Sequence, residues 1–345
     1  MINVSCRNVN DGLAYALMAL DQIGVERGSR NGKVKYFPVP VSIMYHEPRE
    51  RVLWNSKRDA NPFFHFFESL WMLAGRNDVA YVSQFAKKMI DYSDDTRTIN
   101  GAYGHRWKHH FGRDQLPVII DRLSKNQDDR RCVLTMWDAT KDLGSDAKDV
   151  PCNTQVFFAV SVDGKLDMTV INRSNDIVWG CFGANAVHFS FLQEYVACAL
   201  GREVGRYWQI ANNLHLYDFN KFQVDTVVSM YKNFPQAADL YTGGAVAPFP
   251  LHVADGRGGM KTWDEDLLMF MEHPLSVGFR DPFFRRVAVP MMVAWKAYSL
   301  KGDPDRYRVA EEAIGQCHAT DWAQAAKSWL GRRQADSARK ARETN

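Results

Sequence analysis

Pro151-Cys152 and the run Arg173-Ser174-Asn175-Asp176 are the two places in this chain where residue type and spacing could do chemistry. Between them, Gln155 to Val162 (QVFFAVSV) has the composition of a strand. Asp163-Gly164 reads as a two-residue hairpin turn, and Lys165 to Asn172 (KLDMTVIN) as the returning strand. With Val162 opposite Lys165 and no bulge, Cys152 falls opposite Asn175. A thiol, a guanidinium, a hydroxyl and a carboxylate then converge on one end of a hairpin. A guanidinium stabilises the thiolate, the nucleophilic form of cysteine, and it also binds phosphate. The pattern suggests a cysteine nucleophile acting on a phosphorylated substrate, by attack on a carbonyl, a disulfide or an electron-poor double bond.

Arg30, Arg130, Arg131 and Arg173 all fall at loop or strand-end positions. Each alone is an ordinary solvated residue; meeting at one point, they would recognise a phosphate. Cys132, Cys181, Cys198 and Cys317 lie in apolar contexts and read as small buried hydrophobes. No CxxC pair is present, which argues against a disulfide scaffold and against a metal site. Unpaired thiols point to a reducing, cytoplasmic compartment. His109-His110 lacks a third ligand and reads as surface. No GxSxG elbow occurs, and the papain-type signature around the cysteine is missing, so a Cys hydrolase is the weaker chemistry.

Several elements must position these residues. Residues 10 to 23 have helical spacing, and ERGSRNGK after them reads as a polar loop carrying Arg27, Arg30 and Lys33. VKYFPVPVSIMY is strand-like but interrupted by prolines. Pro62 opens a helical segment, PFFHFFESLWMLA, ended by Gly75. Glu68 in that segment either points to solvent or is buried, where its pKa would rise and it could carry protons. Residues 99 to 110 are Gly-rich and aromatic and read as a loop. Residues 184 to 200 read as a helix closed by Gly201, and helices follow after about residue 275. The chain of 345 residues carries a net charge of +3, too small for broad nucleic-acid binding. Its apolar runs are too short for a membrane span, and MINVSCRNVN lacks a signal-peptide pattern.

The chemical residues recur in a definite order. Arg30 sits in a short loop, followed by FESLWMLAG with Glu68, NGAYGHRW with Tyr103 and Trp107, and DDRR with Arg130 and Arg131. Then come PC with Cys152, RSND, Asn185 on the next helix, and LHLY with His215 and Tyr217. These segments resemble the thymidylate synthase family, which includes the pyrimidine nucleotide hydroxymethylases. The likeness runs from Arg30 to Tyr217, or on to about residue 275. Two spacings, Cys152 to Arg173 and Arg173 to Asn185, are each one residue longer than usual, so a strict count would place the base reader at Ala184.

The resemblance implies an α+β fold with a large mixed sheet packed by helices. It implies a catalytic domain over residues 1–275 and a helical extension over 276–345, whose polar tail ADSARKARETN is expected to fray. It implies 5,10-methylenetetrahydrofolate as cosubstrate, without a metal, and a deoxypyrimidine monophosphate as acceptor. Cys152 would add to C6 of the base, Glu68 would manage protons at its exocyclic group, and Tyr103 would help remove the C5 proton. Arg30, Arg173 and Ser174 would hold the phosphate, joined by Arg130 and Arg131 from the other subunit of a homodimer. Asn185 would read the base, His215 and Tyr217 the sugar, and Asp176 the pterin. Taken alone, Asp176 could also be a helix cap, and Tyr103, His215 and Tyr217 packed side chains with satisfied polar atoms.

The exocyclic methylene that such chemistry creates has two fates: hydride gives a methyl group, water a hydroxymethyl group. Thymidylate synthases cover it with a tryptophan; here Ile90 or Tyr92 stands in the corresponding stretch KKMIDYSDD, beside the folate. Asn153 replaces a usual histidine, Asn175 within RSND resembles the hydroxymethylases, and the chain ends in polar ARKARETN rather than a short apolar tail. These departures favour a 5-hydroxymethylase, with thymidylate synthase as runner-up and an idle nucleotide-binding scaffold as a third reading. Asn185 leans toward dUMP, with dCMP open because an amide can be turned round. Ser174 beside Arg173 suits a 2′-deoxy substrate. Such enzymes serve DNA-modifying phages or nucleoside antibiotic pathways.

Overall fold

The computed structural model describes residues 1–30, 32–233, 239–252 and 260–343. In chain order the strands are β1 (Ile2–Cys6), β2 (Val25–Ser29), β3 (Gly32–Tyr36), β4 (Val41–Tyr45), β5 (Val133–Thr135), β6 (Asn153–Val160), β7 (Leu166–Asn172), β8 (Asn175–Asp176), β9 (Val204–Ala211) and β10 (Leu214–Tyr217). They form a mixed six-stranded sheet, β1-β4-β9-β7-β6-β5, and a four-stranded sheet, β2-β3-β10-β8. Helices pack against them, so the α+β reading of the sequence holds.

The β6–β7 hairpin exists, with a different register from the one expected. Val160 pairs with Leu166, and the loop is Val162-Asp163-Gly164, closed by Ser161 N–H donating to Lys165 O at 2.9 Å. Gly164 takes φ +81°, the left-handed conformation that a three-residue hairpin turn needs. A bulge between Asn153 and Gln155 shifts the pairing again. Arg173 N–H therefore donates to Cys152 O at 2.9 Å, and Cys152 faces Arg173 rather than Asn175.

Helix α1 (Val9–Ile23) lies where expected. The stretch after it is not a loop: β2 and β3 pair through Ser29 and Gly32, leaving Arg30 at their turn. Residues around 103–110 are not a loop either. Numbering helices in chain order with α2 (Pro62–Leu73), α3 (Val79–Ser83) and α4 (Tyr103–His105), a π-helical turn Arg106–His110 continues α4. After these come α5 (Gln115–Lys125), α6 (Ala139–Asp142) and α7 (Asn185–Ala199).

Helix α2 begins as its sequence dictates. The Asn61 side chain accepts from Phe64 N at 3.2 Å, Pro62 occupies the first turn, and Gly75 at φ +75° follows the end. Its rings are the centre of the core. Phe63 meets Trp295 and Trp329, and Phe66 meets Phe191, Phe283 and Trp322. Each ring buried in this way contributes about 1.5–3 kcal/mol. Helices Val289–Ser299, Arg306–Ile314 and Thr320–Glu343 thus join the same core as the sheet. The last helix runs through the tail expected to fray, as far as Glu343, because Ala, Arg and Lys are strong helix formers. Residues 344 and 345 of that tail lie outside the described ones. Among the described residues, no helix is long and apolar enough to cross a membrane.

Candidate active site

Cys152 sits at the open end of the hairpin, at the entry to β6. The Arg173 side chain folds back along the chain before it, donating from Nε to Pro151 O at 2.8 Å and from Nη2 to Val150 O at 2.9 Å. Burial pushes the Cys152 thiol up; Arg173 and Arg30 pull it down, and Asp149 opposes them. Asp149 is held by Gly101 N–H at 2.8 Å, and burial raises its own carboxyl. The thiol therefore lies between two cations and one carboxylate. Replacing Arg173 with leucine should move the pH midpoint for alkylation of Cys152 upward, and Asp149→Asn should move it downward. Iodoacetamide rates at Cys152, resolved by peptide mass, check both signs.

Tyr103 stands beside the thiol. Its hydroxyl is bonded to Asn153, and burial together with the charges of Cys152 and Asp149 lifts it well above the usual tyrosine range. Gly104 brings α4 against α2: a Cβ there would lie 1.8 Å from Met72 O, so only glycine allows the approach. The buried Arg106 guanidinium grips Asp142 with two bonds of 2.9 Å, tying this turn to the loop that leads to Cys152. Glu68 faces inward from α2 and is buried. Its Oε2 lies 3.0 Å from His188 Nε2 of α7, out of line for a hydrogen bond, and both atoms lack a hydrogen-bond partner. His65, one turn before Glu68, is pulled well below the usual histidine range by burial, with Arg58 and His188 acting in the same direction.

Asn185 opens α7 with its side chain buried. Its Oδ1 accepts from Asn153 Nδ2 at 3.0 Å, and its Nδ2 donates to Asn175 Oδ1 at 3.0 Å. The neighbouring Ala184, where a strict count would fall, has no polar side chain to offer. Asn172 Nδ2 donates to Asn153 Oδ1, and Asn175 Nδ2 donates to Gln209 Oε1 at 3.1 Å. Five amides thus run in line beneath the thiol. Gly180 makes room for them, since a Cβ there would lie 2.4 Å from Asn175 Oδ1.

The small sheet gathers the remaining candidates. His215 of β10 pairs with Asp176 of β8 on one side and with Tyr36 of β3 on the other. The β2–β3 turn carries Arg30. The His215 and Tyr217 rings meet edge to face at 5.0 Å, and His215 Nδ1 is buried without a hydrogen-bond partner. Asp176 does cap the turn after it, its Oδ1 accepting from Trp179 N at 2.5 Å, while its Oδ2 is buried and unpartnered. Burial pushes its carboxyl up to about 6, against the pull of Trp179 N–H and Arg58. Ser174, between Arg173 and Asn175, is half-buried. Ile90 and Tyr92 lie on the 3₁₀ turn Lys87–Tyr92 and are 46% and 53% exposed. Burial raises the Tyr92 hydroxyl, and the charges of Tyr217, Asp149, Asp91 and Asp176 add to the rise.

Arg130 and Arg131 do not join this group within one chain. Cys132 O accepts from Phe158 N at 3.2 Å, which sets both arginines near the turn end of the hairpin. Cys152 is at the other end of β6, roughly 20–25 Å away at about 3.3 Å per residue. Both arginines are exposed, and Arg131 pairs with Asp129 at 3.1 Å.

Reading the sequence did not single out Asp149, His188, His65 or Gln209. His188 and His65 interrupt apolar helical runs, which was the available signal; Asp149 and Gln209 carry none on their own.

A family model described as thymidylate synthase matches residues 25–238. The chain is 50% identical over 343 residues to a deoxyuridylate hydroxymethyltransferase of Pseudomonas phage M6, covering 98% of this chain and 97% of that protein. It is 39% identical over 202 residues to a protein of the same name from Bacillus phage SP01, covering 55% of this chain and 51% of that one. A third, from Delftia phage PhiW-14, is 32% identical over 206 residues, 56% of this chain and 57% of that protein.

Proposed function

Because this chain belongs to the thymidylate synthase family, we propose that it hydroxymethylates C5 of a deoxypyrimidine monophosphate, with dUMP as the acceptor. The observation that carries this reading is one constellation, half-buried Cys152 and Tyr103 with buried Glu68 and Asn185, in a chain matched end to end by a phage protein named for deoxyuridylate. 5,10-Methylenetetrahydrofolate is the one-carbon donor in this reading. Asp176 fits its pterin, because Oδ2 is a buried acceptor without a donor while Oδ1 is already spent on Trp179 N–H.

The steps follow from the side chains. The Cys152 thiolate adds to C6, which places carbanion character on C5, and C5 takes the one-carbon unit. Tyr103, as a neutral hydroxyl, helps remove the C5 proton by holding the water that takes it, and elimination of the folate leaves an exocyclic methylene on the base. Water adds to that methylene, the electron pair returns through C5, and the C6–S bond breaks to release Cys152 as thiolate. Glu68 handles protons at the exocyclic oxygen and orders water there. Arg30, Arg173 and Ser174 hold the phosphate, and His215 and Tyr217 hold the sugar 3′-hydroxyl. Water reaches the methylene because Ile90 and Tyr92 leave this edge open, and because Asp149, Asn153 and Asn175 make the walls polar.

Tritium at C5 of dUMP should be released in step with tetrahydrofolate, with no absorbance from dihydrofolate. A matching rise in dihydrofolate would mean that the product is thymidylate instead. The free thiols suit a cytoplasmic protein of a bacterial or phage-infected cell.

The enzyme works as a homodimer in this reading. Arg130 and Arg131 are too far from their own Cys152 to share its phosphate, and the large sheet leaves Phe157 38% exposed on a face that also carries Trp208 and Ile210. A two-fold dimer would let each subunit supply arginines to the other. A Cys152→Ala chain and an Arg130→Ala/Arg131→Ala chain should each be nearly inactive alone. Mixed and re-equilibrated, they should recover about a quarter of the wild-type activity, since half the dimers are hybrid and one site in each is intact. No recovery in verified hybrids would exclude shared sites.

A further inference from the structure

The buried amides form a chain with a direction. Asn172 donates to Asn153, Asn153 to Asn185, Asn185 to Asn175, and Asn175 to Gln209. Gln209 Nε2 then donates to Cys181 O at 2.8 Å and to Tyr45 Oη at 2.9 Å. Every amide in the series could be turned round, exchanging donor and acceptor, and the Tyr45 and Tyr103 hydroxyls work either way. The Cys181 carbonyl cannot: it only accepts. It fixes Nε2 of Gln209, and thereby the sense of each amide up to Asn185. The other end has no such anchor, since Asn172 Oδ1 is buried without a partner. The residues of the series are close to fully buried, so turning one against its neighbours would leave facing donors or facing acceptors in a low-dielectric interior.

We propose that Gln209, locked by the Cys181 carbonyl, sets the direction of this chain and so makes Asn185 select one pyrimidine over the other. Asn185 spends one lone pair on Asn153 and one N–H on Asn175. One acceptor and one donor remain for a base. Uracil presents the acceptor O4 beside the donor N3–H; cytosine presents the donor N4–H₂ beside the acceptor N3. Only one sense of the Asn185 amide suits each base. With dUMP as the acceptor nucleotide, the imposed sense is the one for uracil; in this the inference rests on the proposed function. Gln209 is a positioning residue that acts through Asn175 and Asn185, without touching the nucleotide.

The test is the ratio of kcat/KM for tritium release from C5 of dUMP and of dCMP. Gln209→Met keeps a side chain of similar length and removes the anchor, so the amides can invert together. The preference for dUMP should fall at least tenfold, with dCMP gaining in absolute terms. Gln209→Glu should keep the ratio within about threefold of wild type. In either protonation state the carboxyl accepts from Asn175 Nδ2, and that preserves the direction. A merely structural role predicts the reverse order, because a buried carboxyl disturbs the interior more than methionine does. Asn153→Asp is the second probe, read at a pH high enough to ionise the buried carboxyl: the carboxylate can only accept and opposes the Asn185 oxygen facing it, so Asn185 should turn and the ratio shift toward dCMP.

An unchanged ratio in folded Gln209→Met, or an equal loss in Gln209→Glu, overturns the proposal. If Gln209→Met does not fold, an unchanged ratio in Asn153→Asp does so. A wild-type protein that releases no tritium from either nucleotide would refute the proposed reaction alone. Equilibrium binding of dUMP and dCMP to the same variants would then read the same ratio.

Discussion

Cys152→Ala should lower tritium release from C5 of dUMP by on the order of 10⁴-fold or more, with dUMP still bound. The thiol is the nucleophile in the account above, and no other described cysteine can replace it. Cys6, Cys132, Cys181 and Cys317 are buried in the core, and Cys198, half-buried rather than buried as its sequence context suggests, lies near the end of α7 with its thiol pushed up to about 12 by burial. Burial lifts Cys181 well above the usual thiol range, so it is inert at neutral pH. The substitution spares the architecture, because the hairpin contact at this position is made by the Cys152 backbone carbonyl to Arg173 N–H. The clamp on the phosphate is independent of the sulfur. A protein that still melts cooperatively and binds dUMP within a few-fold of wild type, but releases no label, is the expected result. Full release by the alanine protein would show that C5 is activated without the Cys152 thiol.

Glu68→Gln is expected to cost about 10²- to 10⁴-fold in the same assay, the usual range for a proton carrier. The change is isosteric and removes only the ability to gain and lose a proton. Glu68 is 9% exposed, on the face of α2 that looks toward α7, and its Oε2 has His188 Nε2 at 3.0 Å. His188 lies on the same helix as Asn185, one turn further on. The carboxyl is therefore placed beside the base-reading end of the site and not at the arginine end. The loss should appear in kcat far more than in dUMP affinity. Activity within about threefold of wild type would remove Glu68 from the proton path.

Much of this arrangement could be read from the chain, for physical reasons that differ between elements. Helix α2 carries its own signals, with Pro62 at the start and Gly75 after the end. The hairpin was visible in its alternating apolar residues, but not its register. The third turn residue, Val162, and the bulge after Asn153 carry no local signature, and each shifts pairing by a residue. Without them Cys152 would fall opposite Asn175; with them it faces Arg173. Strand β2 and the start of β3 read as a polar loop because β2 is exposed throughout, with little apolar alternation to betray it, whereas Val34 to Tyr36 of β3 fall in the stretch that does read as a strand. The helical turns at 103–110 were hidden by Gly101 and Gly104. Gly104 is there for its close approach to Met72 O rather than for flexibility.

The amide chain was the least legible feature. Asn153, Asn175, Asn185 and Gln209 come from four separate elements, and each is an ordinary polar residue by itself. Only the packing of β8 beside β10, and of β7 beside β9, brings them into line. Two of the four departures from thymidylate synthases noted in the sequence, Asn153 and Asn175, are the partners on either side of Asn185.

In the proposed reaction Cys152 generates a methylene that water, and not hydride, completes. The direct measurement is the mass of the nucleotide formed from dUMP and 5,10-methylenetetrahydrofolate in H₂¹⁸O. The expected product is 5-hydroxymethyl-dUMP carrying one ¹⁸O, with tetrahydrofolate as the other product. Thymidylate without solvent oxygen, accompanied by dihydrofolate, would contradict it.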